Sequence, residues 1–95
     1  MSVTLNPSII DRSGTATTTS AEILAGNGQR RALLIQNISS VNVGLSTGTA
    51  AIGTAGTLTL AAGQSLSFDG PTCPLNALNA IAASGTAAIT IWEII

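Results

Sequence analysis

The sequence has few of the side chains that carry out chemistry. It contains no His and no Tyr, its three cationic residues are all Arg, and it has one Cys. Without His, Ser–His–Asp triads and most transition-metal sites are excluded. The four carboxylates, Asp11, Glu22, Asp69 and Glu93, are scattered along the chain, whereas acid–base catalysis needs two groups held in one cleft. We therefore predict no enzymatic activity, no cofactor and no metal site.

The single cysteine, Cys73, excludes a disulfide within the chain. Because no His is present to activate it, we predict a free structural thiol. The first thirteen residues lack the basic and apolar regions of a signal peptide. No run approaches the ~20 apolar residues of a membrane span. We therefore expect a protein made in a cytoplasm, with no membrane partner.

Charged residues make up 7% of the chain, against about a quarter in an ordinary soluble domain. Ala, Thr, Ser and Gly together account for about half of the sequence. Such a neutral surface does not repel copies of itself, so we predict a homo-oligomer. Nucleic-acid binding needs a basic stripe and stacking aromatic residues. The single pair Arg30-Arg31, with only Phe68 and Trp92 as aromatic residues, predicts no nucleic-acid partner.

Alternating apolar and polar residues, separated by turn signals, predict about seven short strands and no helix. The most regular stretch, residues 30–46, reads as a hairpin with a two-residue turn at Ser39-Ser40. Its first arm is apolar on both faces, as in a central strand, and its second arm places Val43 and Leu45 on one face. Further strands are predicted at 15–24, 56–61, 64–69, 77–83 and 87–95.

Two of these segments carry additional predictions. Residues 56–61 and 64–69 are predicted to form a second hairpin, with Leu58, Leu60, Leu66 and Phe68 inward. The segment 77–83 also has near-helical spacing, but strands on both sides favour a strand. The last strand is apolar on both faces, so it is either central or covered by a partner.

The predicted fold is all-β: one small antiparallel β-sandwich, jelly-roll or immunoglobulin-like, over residues 14–95. Residues 1–13 are predicted to form an N-terminal arm, because isolated apolar residues there must dock on something to become ordered. Contacts with other molecules are predicted in this arm, at the Arg pair, in the uncharged loop 47–55 and at the exposed aromatic ring. The candidate contact residues are Val3, Leu5, Ile9, Ile10, Arg30, Arg31, Ile52 and Trp92.

Three stretches, QRRALLIQNISSVNVGLSTG, GTLTLAAGQSLSFDGP and ALNAIAASGTAAITIWE, resemble small virion proteins of tailed phages, above all capsid decoration (cement) proteins. The resemblance covers residues 28–93. It departs from the pattern where Val43 and Asn79 replace aromatic residues often found there. It implies a trimeric β-sandwich that is made in the host bacterial cytoplasm and binds the major capsid protein on the capsid surface.

Other roles remain open at this point. The chain could be another virion component, of the tail, neck or fibre, or a receptor- or glycan-binding β module. Glycan-binding surfaces usually stack sugars on aromatic rings, and Trp92 alone would have to supply that platform.

Overall fold

A computed structural model describes residues 8–95, which form nine β-strands, one short 3₁₀ turn (Gly70–Thr72) and no α-helix. This confirms the all-β prediction, with more strands than expected. The strands are β1 (Ile9–Asp11), β2 (Gly14–Thr17), β3 (Ala21–Leu24), β4 (Ala32–Asn37), β5 (Val43–Ser46), β6 (Leu58–Leu60), β7 (Ser65–Asp69), β8 (Leu78–Ala82) and β9 (Thr86–Ile94). No helix in the described residues is long and apolar enough to cross a bilayer.

The strands form two antiparallel sheets that pack face to face. The five-stranded sheet has the order β1-β9-β4-β7, with β2 pairing β9 next to β1. The four-stranded sheet has the order β3-β8-β5-β6. From β2 onward, every connection except β5–β6 carries the chain from one sheet to the other. This order is that of a jelly roll, one of the two predicted sandwich topologies.

The core lies between the inner faces of the two sheets. Leu33 and Ile35 of β4 and Ile89 and Ile91 of β9 are fully buried there, opposite Val43 of β5. Each such side chain contributes about 1.5–3 kcal/mol by leaving water. The predictions of a central first arm and an inward Val43 are therefore confirmed, and of the two alternatives for the last strand the structure shows the central one.

The predicted hairpin over residues 30–46 is wrong, because its two arms belong to different sheets. β4 already has β9 on one side and β7 on the other, so no edge is free for β5. Asn37 fixes the crossing, since its buried Nδ2 donates to the Val41 carbonyl at 2.7 Å and the Leu60 carbonyl at 3.0 Å. The chain turns as predicted but changes sheets as it does so.

The second predicted hairpin is wrong for the same reason, because β6 pairs with β5 whereas β7 pairs with β4. The predicted strand 15–24 is also divided, into β2 and β3 of different sheets. The strand predicted at 77–83 is confirmed as β8. Leu58 has the predicted inward direction, because it lies opposite Leu45, yet it remains 54% exposed.

Candidate docking face on the five-stranded sheet

The outer face of the five-stranded sheet presents an exposed apolar surface. Two predicted contact residues lie on it, Ile9 with 60% and Trp92 with 43% of their surface exposed. Cross-strand pairing places side chains in two adjacent rows, Ile9–Ile94–Ala32 and Asp11–Trp92–Leu34. Charged groups lie only at the margins of these rows, at Asp11 on β1 and at Asp69, which pairs with Ala32 on β7. We call this surface the docking face.

The outer face of the four-stranded sheet is partly covered by the chain itself. A Cβ atom at Gly44 of β5 would lie 2.8 Å from Thr57 Cγ2 and 3.1 Å from Ile52 Cδ1. The loop 47–57 therefore packs on this sheet, and the predicted contact residue Ile52 is one of the side chains that packs there. The Ala50 N–H donates to Ser20 Oγ at 2.8 Å and holds the loop. Of the two outer faces, the docking face is thus the one on which no loop of residues 8–95 packs.

Of the remaining predicted contact residues, those that the structure describes do not lie together on the docking face. Ile10 pairs with Glu93, on the inner side of β1, and is partly buried. Arg31 is exposed just before β4. Val3 and Leu5 lie outside the described residues. Ser8 is bound to the last strand through two backbone hydrogen bonds with Ile95, of 2.9 and 3.0 Å, so the described part of the arm docks on its own sheet.

Arg30 does not lie on the surface, although it was predicted as a contact residue. Its side chain is fully buried, and Nε donates to Glu93 Oε2 at 2.8 Å. The other guanidinium N–H groups donate to the carbonyls of Ala25 at 2.6 Å, Pro74 at 2.7 Å and Asn76 at 3.1 Å. Arg30 thus forms a salt bridge within its own chain, whereas Arg31 forms none with residues 8–95. The Arg30–Glu93 ion pair therefore links β9 of the five-stranded sheet to the segments that adjoin β3 and β8 of the four-stranded sheet.

Glu93 forms a second ion pair, with Arg12, whose Nε lies 3.2 Å from Oε1 and whose side chain is half exposed. Burial alone would raise the pKa of Glu93, but hydrogen bonds from Arg30, Arg12 and Asn27 outweigh it and lower the pKa. The carboxylate is therefore ionised at neutral pH, with a guanidinium on each oxygen. This arrangement suits a structural anchor, because each carboxylate oxygen already accepts a hydrogen bond from a guanidinium.

The sequence carries a signal for this anchor in the alternation of β9. Glu93 continues the inward-facing series of Ile89 and Ile91, so the alternation itself places a carboxylate on the core face. A buried carboxylate requires a cationic partner. Which of the three Arg residues supplies it cannot be read from alternation.

Residues 8–95 also contain a cavity and a buried thiol. A cavity of about 310 Å³ adjoins the anchor and is lined by Arg12, Glu93 and residues 23–27. Cys73 is buried and free, and burial raises the pKa of its thiol, which keeps it protonated. No cluster of three or more His, Cys, Asp or Glu side chains occurs among residues 8–95.

No protein-family model and no curated protein matches the sequence. Among solved structures, the chain is similar to a protein of Bacillus endospore appendages, described as a family of disulfide-linked pili. The TM-score is 0.44 and the sequence identity 20%, over 95% of this chain and 88% of the other. The jelly-roll assignment therefore rests on the strand order of this chain.

Proposed function

We propose that the protein is a capsid decoration protein of a tailed phage, which binds the outer head lattice and stabilises contacts between major capsid proteins. It acts without catalysis and as a homo-oligomer, with a trimer favoured. The observation that carries the proposal is the docking face, an apolar surface that nothing else in residues 8–95 covers, on a protein with very few charges. The sequence resemblance to cement proteins supports the virion setting, and jelly rolls are common among viral capsid domains.

The docking face suits attachment to a repetitive surface. An apolar contact of this kind gains about 1.5–3 kcal/mol for each large side chain that it buries. Ile9 and Trp92 alone give only a weak contact per copy, but many copies on one lattice, linked as oligomers, add by multivalency. The absence of Arg from the two central rows avoids the cost of removing a cation from water.

The test uses phage heads purified without this protein and then incubated with it. Trp92→Glu places a charge at the centre of the docking face and should lower the occupancy of the heads tenfold or more at limiting concentration. The matched control is Thr59→Glu, at an exposed position of β6 in the other sheet, which should bind normally. Normal binding of the Trp92 variant, or copies confined to the tail vertex in cryo-electron micrographs, would contradict the proposal.

A second candidate function is recognition of a glycan. The specific observation is the half-exposed Trp92 ring opposite Asp11 on the outer sheet face, since sugars stack on aromatic rings and donate hydrogen bonds to carboxylates. A glycan array separates the two roles. Glycan binding by the wild type that disappears in Trp92→Ala would favour this candidate. Equal signals from the wild type and the Trp92 variant would exclude it.

A further inference from the structure

The sandwich is open along one side, between β6 and β7. These strands are the edges of the two sheets on that side, and among residues 8–95 each pairs with one neighbour only. Between them lies a groove of about 180 Å³, lined mainly by apolar side chains. The most prominent are Leu45, Leu58, Leu66, Phe68 and Leu78.

These side chains face inward without being fully covered. Leu66 and Phe68 pair with the buried Ile35 and Leu33, so they belong to the core face of β7, yet both are only partly buried. Leu58 also belongs to the core face and is more than half exposed. Residues 8–95 therefore leave the core without a layer of apolar side chains along this edge.

Residues 1–7, Met-Ser-Val-Thr-Leu-Asn-Pro, have the pattern that would supply this layer. In an extended conformation Val3 and Leu5 point to one side, and Ser2, Thr4 and Asn6 point to the other. No charged side chain occurs in this segment or among the residues that line the groove. Joining the two surfaces therefore leaves no charged side chain stranded away from water.

The segment cannot place both of its apolar side chains in the groove of its own chain. Ser8 is held against Ile95 at the β1 edge, and the order β1-β9-β4-β7 places the groove three strand spacings away, about 14 Å. Three residue steps from Ser8 to Leu5 cover about 10 Å at most. Leu5 thus falls short of its own groove, whereas the groove of a neighbouring copy has no such limit.

We propose that residues 1–7 of one copy add as a β-strand to the free edge of β7 in a second copy, with Val3 and Leu5 in the groove. Backbone hydrogen bonds to the sheet edge provide affinity and the alternating side chains provide register, as in other strand additions. The contact is head-to-tail, so it closes into a ring or grows into a filament. This contact between copies does not depend on which surface the protein coats.

The experiment uses two variants of the full chain. Val3→Asp with Leu5→Asp removes the donor strand but keeps the groove. Leu58→Asp damages the groove but keeps the donor strand, and it replaces an exposed side chain, so the fold is retained. By light scattering and native mass spectrometry, each variant alone should self-associate at least tenfold more weakly than the wild type. An equimolar mixture should form one-to-one heterodimers and nothing larger, because only one donor and one groove remain intact.

Two substitutions serve as controls. Thr4→Asp, on the polar side of the segment, and Thr59→Asp, on the outer side of β6, should leave the wild-type mass unchanged. A wild type that is monomeric at every concentration tested would overturn the inference. So would variants that associate as the wild type does, or a mixture that stays monomeric. Loss of association with unchanged binding of single copies to phage heads would support this contact and leave the proposed function standing.

Discussion

Replacing Glu93 by Gln tests the buried anchor most directly. The substitution keeps the shape of the side chain but removes its charge and turns one oxygen into an N–H donor. In the folded protein that donor would face the Nε of Arg30 or of Arg12, at the present distances of 2.8 and 3.2 Å. One of the two guanidinium groups therefore loses its acceptor.

The expected loss follows from the burial of the pair. The Arg30 side chain has no exposed surface and that of Glu93 has 2%. Removing one partner of a buried pair costs about 3–5 kcal/mol, because a buried charge is left uncompensated. Arg30 keeps its bonds to three carbonyls, so we expect the lower end of that range, about 3 kcal/mol. A small domain has only about 5–15 kcal/mol of stability in total.

Urea unfolding at neutral pH and one fixed protein concentration measures this loss. The midpoint should fall while the slope stays constant, since the exposed area on unfolding does not change. Arg12→Gln is the matched control, because its side chain is half exposed and such pairs contribute about 0.2–1 kcal/mol. If the Glu93 variant loses less than about 1 kcal/mol, or no more than the Arg12 variant, the assignment of the anchor is refuted.

The pH dependence of the free energy of unfolding gives an independent test of Glu93. The pKa of Glu93 is lowered in the folded state from its ordinary value of 4.5. The unfolded chain therefore takes up its proton at higher pH than the folded one does. The stabilisation is fully present above 4.5 and is lost as the pH falls through the lowered folded value. The difference in stability between the wild type and Glu93→Gln should shrink over that interval, and a constant difference would contradict it.

Three further predictions concern other parts of the fold. Gly44→Ala should destabilise by about 1–3 kcal/mol and speed amide exchange in the loop 47–57, because its Cβ would meet the loop at 2.8 Å; Gly48→Ala, with open space around it, should be neutral, and equal effects would refute the packing. Asn37→Ala should lose about 2–3 kcal/mol in urea unfolding, since it strands the buried Leu60 carbonyl and the partly buried Val41 carbonyl; a near-neutral result would refute its role in the crossing. Cys73 should react slowly with a disulfide reagent at pH 7.4 in the native protein and rapidly in urea, and fast native labelling would show an accessible thiol.

Alternation predicted which residues face the core better than it predicted which strands are neighbours. Val43, Ile89 and Ile91 face inward as expected, because the two-residue period is a local property of the chain. The partner of a strand is not local. A turn such as Ser39-Ser40 reverses the chain equally well when the next strand joins the opposite sheet. The buried Asn37 was the one local sign of a crossing.

The candidate site residues also divide into those that a local pattern predicts and those that depend on distant contacts. Exposure of Trp92 on the face opposite to Ile89 and Ile91 follows from strand periodicity, which the sequence shows directly, whereas Ile9 was predicted in an arm and lies instead in a strand, β1. Burial of Arg30 does not follow, because its partner Glu93 lies 63 residues away and their meeting depends on the crossing connections. The groove could not be predicted from the sequence either, since it arises from two edge strands that belong to different sheets.

The position of β9 has a consequence for how the protein is made. β9 lies at the centre of the five-stranded sheet, where it pairs with β1, β2 and β4, all of which are synthesised earlier. Until residues 86–94 leave the ribosome, those strands lack a neighbour and their apolar faces remain unprotected. Such long-range pairing forms slowly and leaves nascent chains prone to aggregation. Premature stops or ribosome pauses just before β9 should therefore yield insoluble fragments, with a chaperone needed to hold the growing chain.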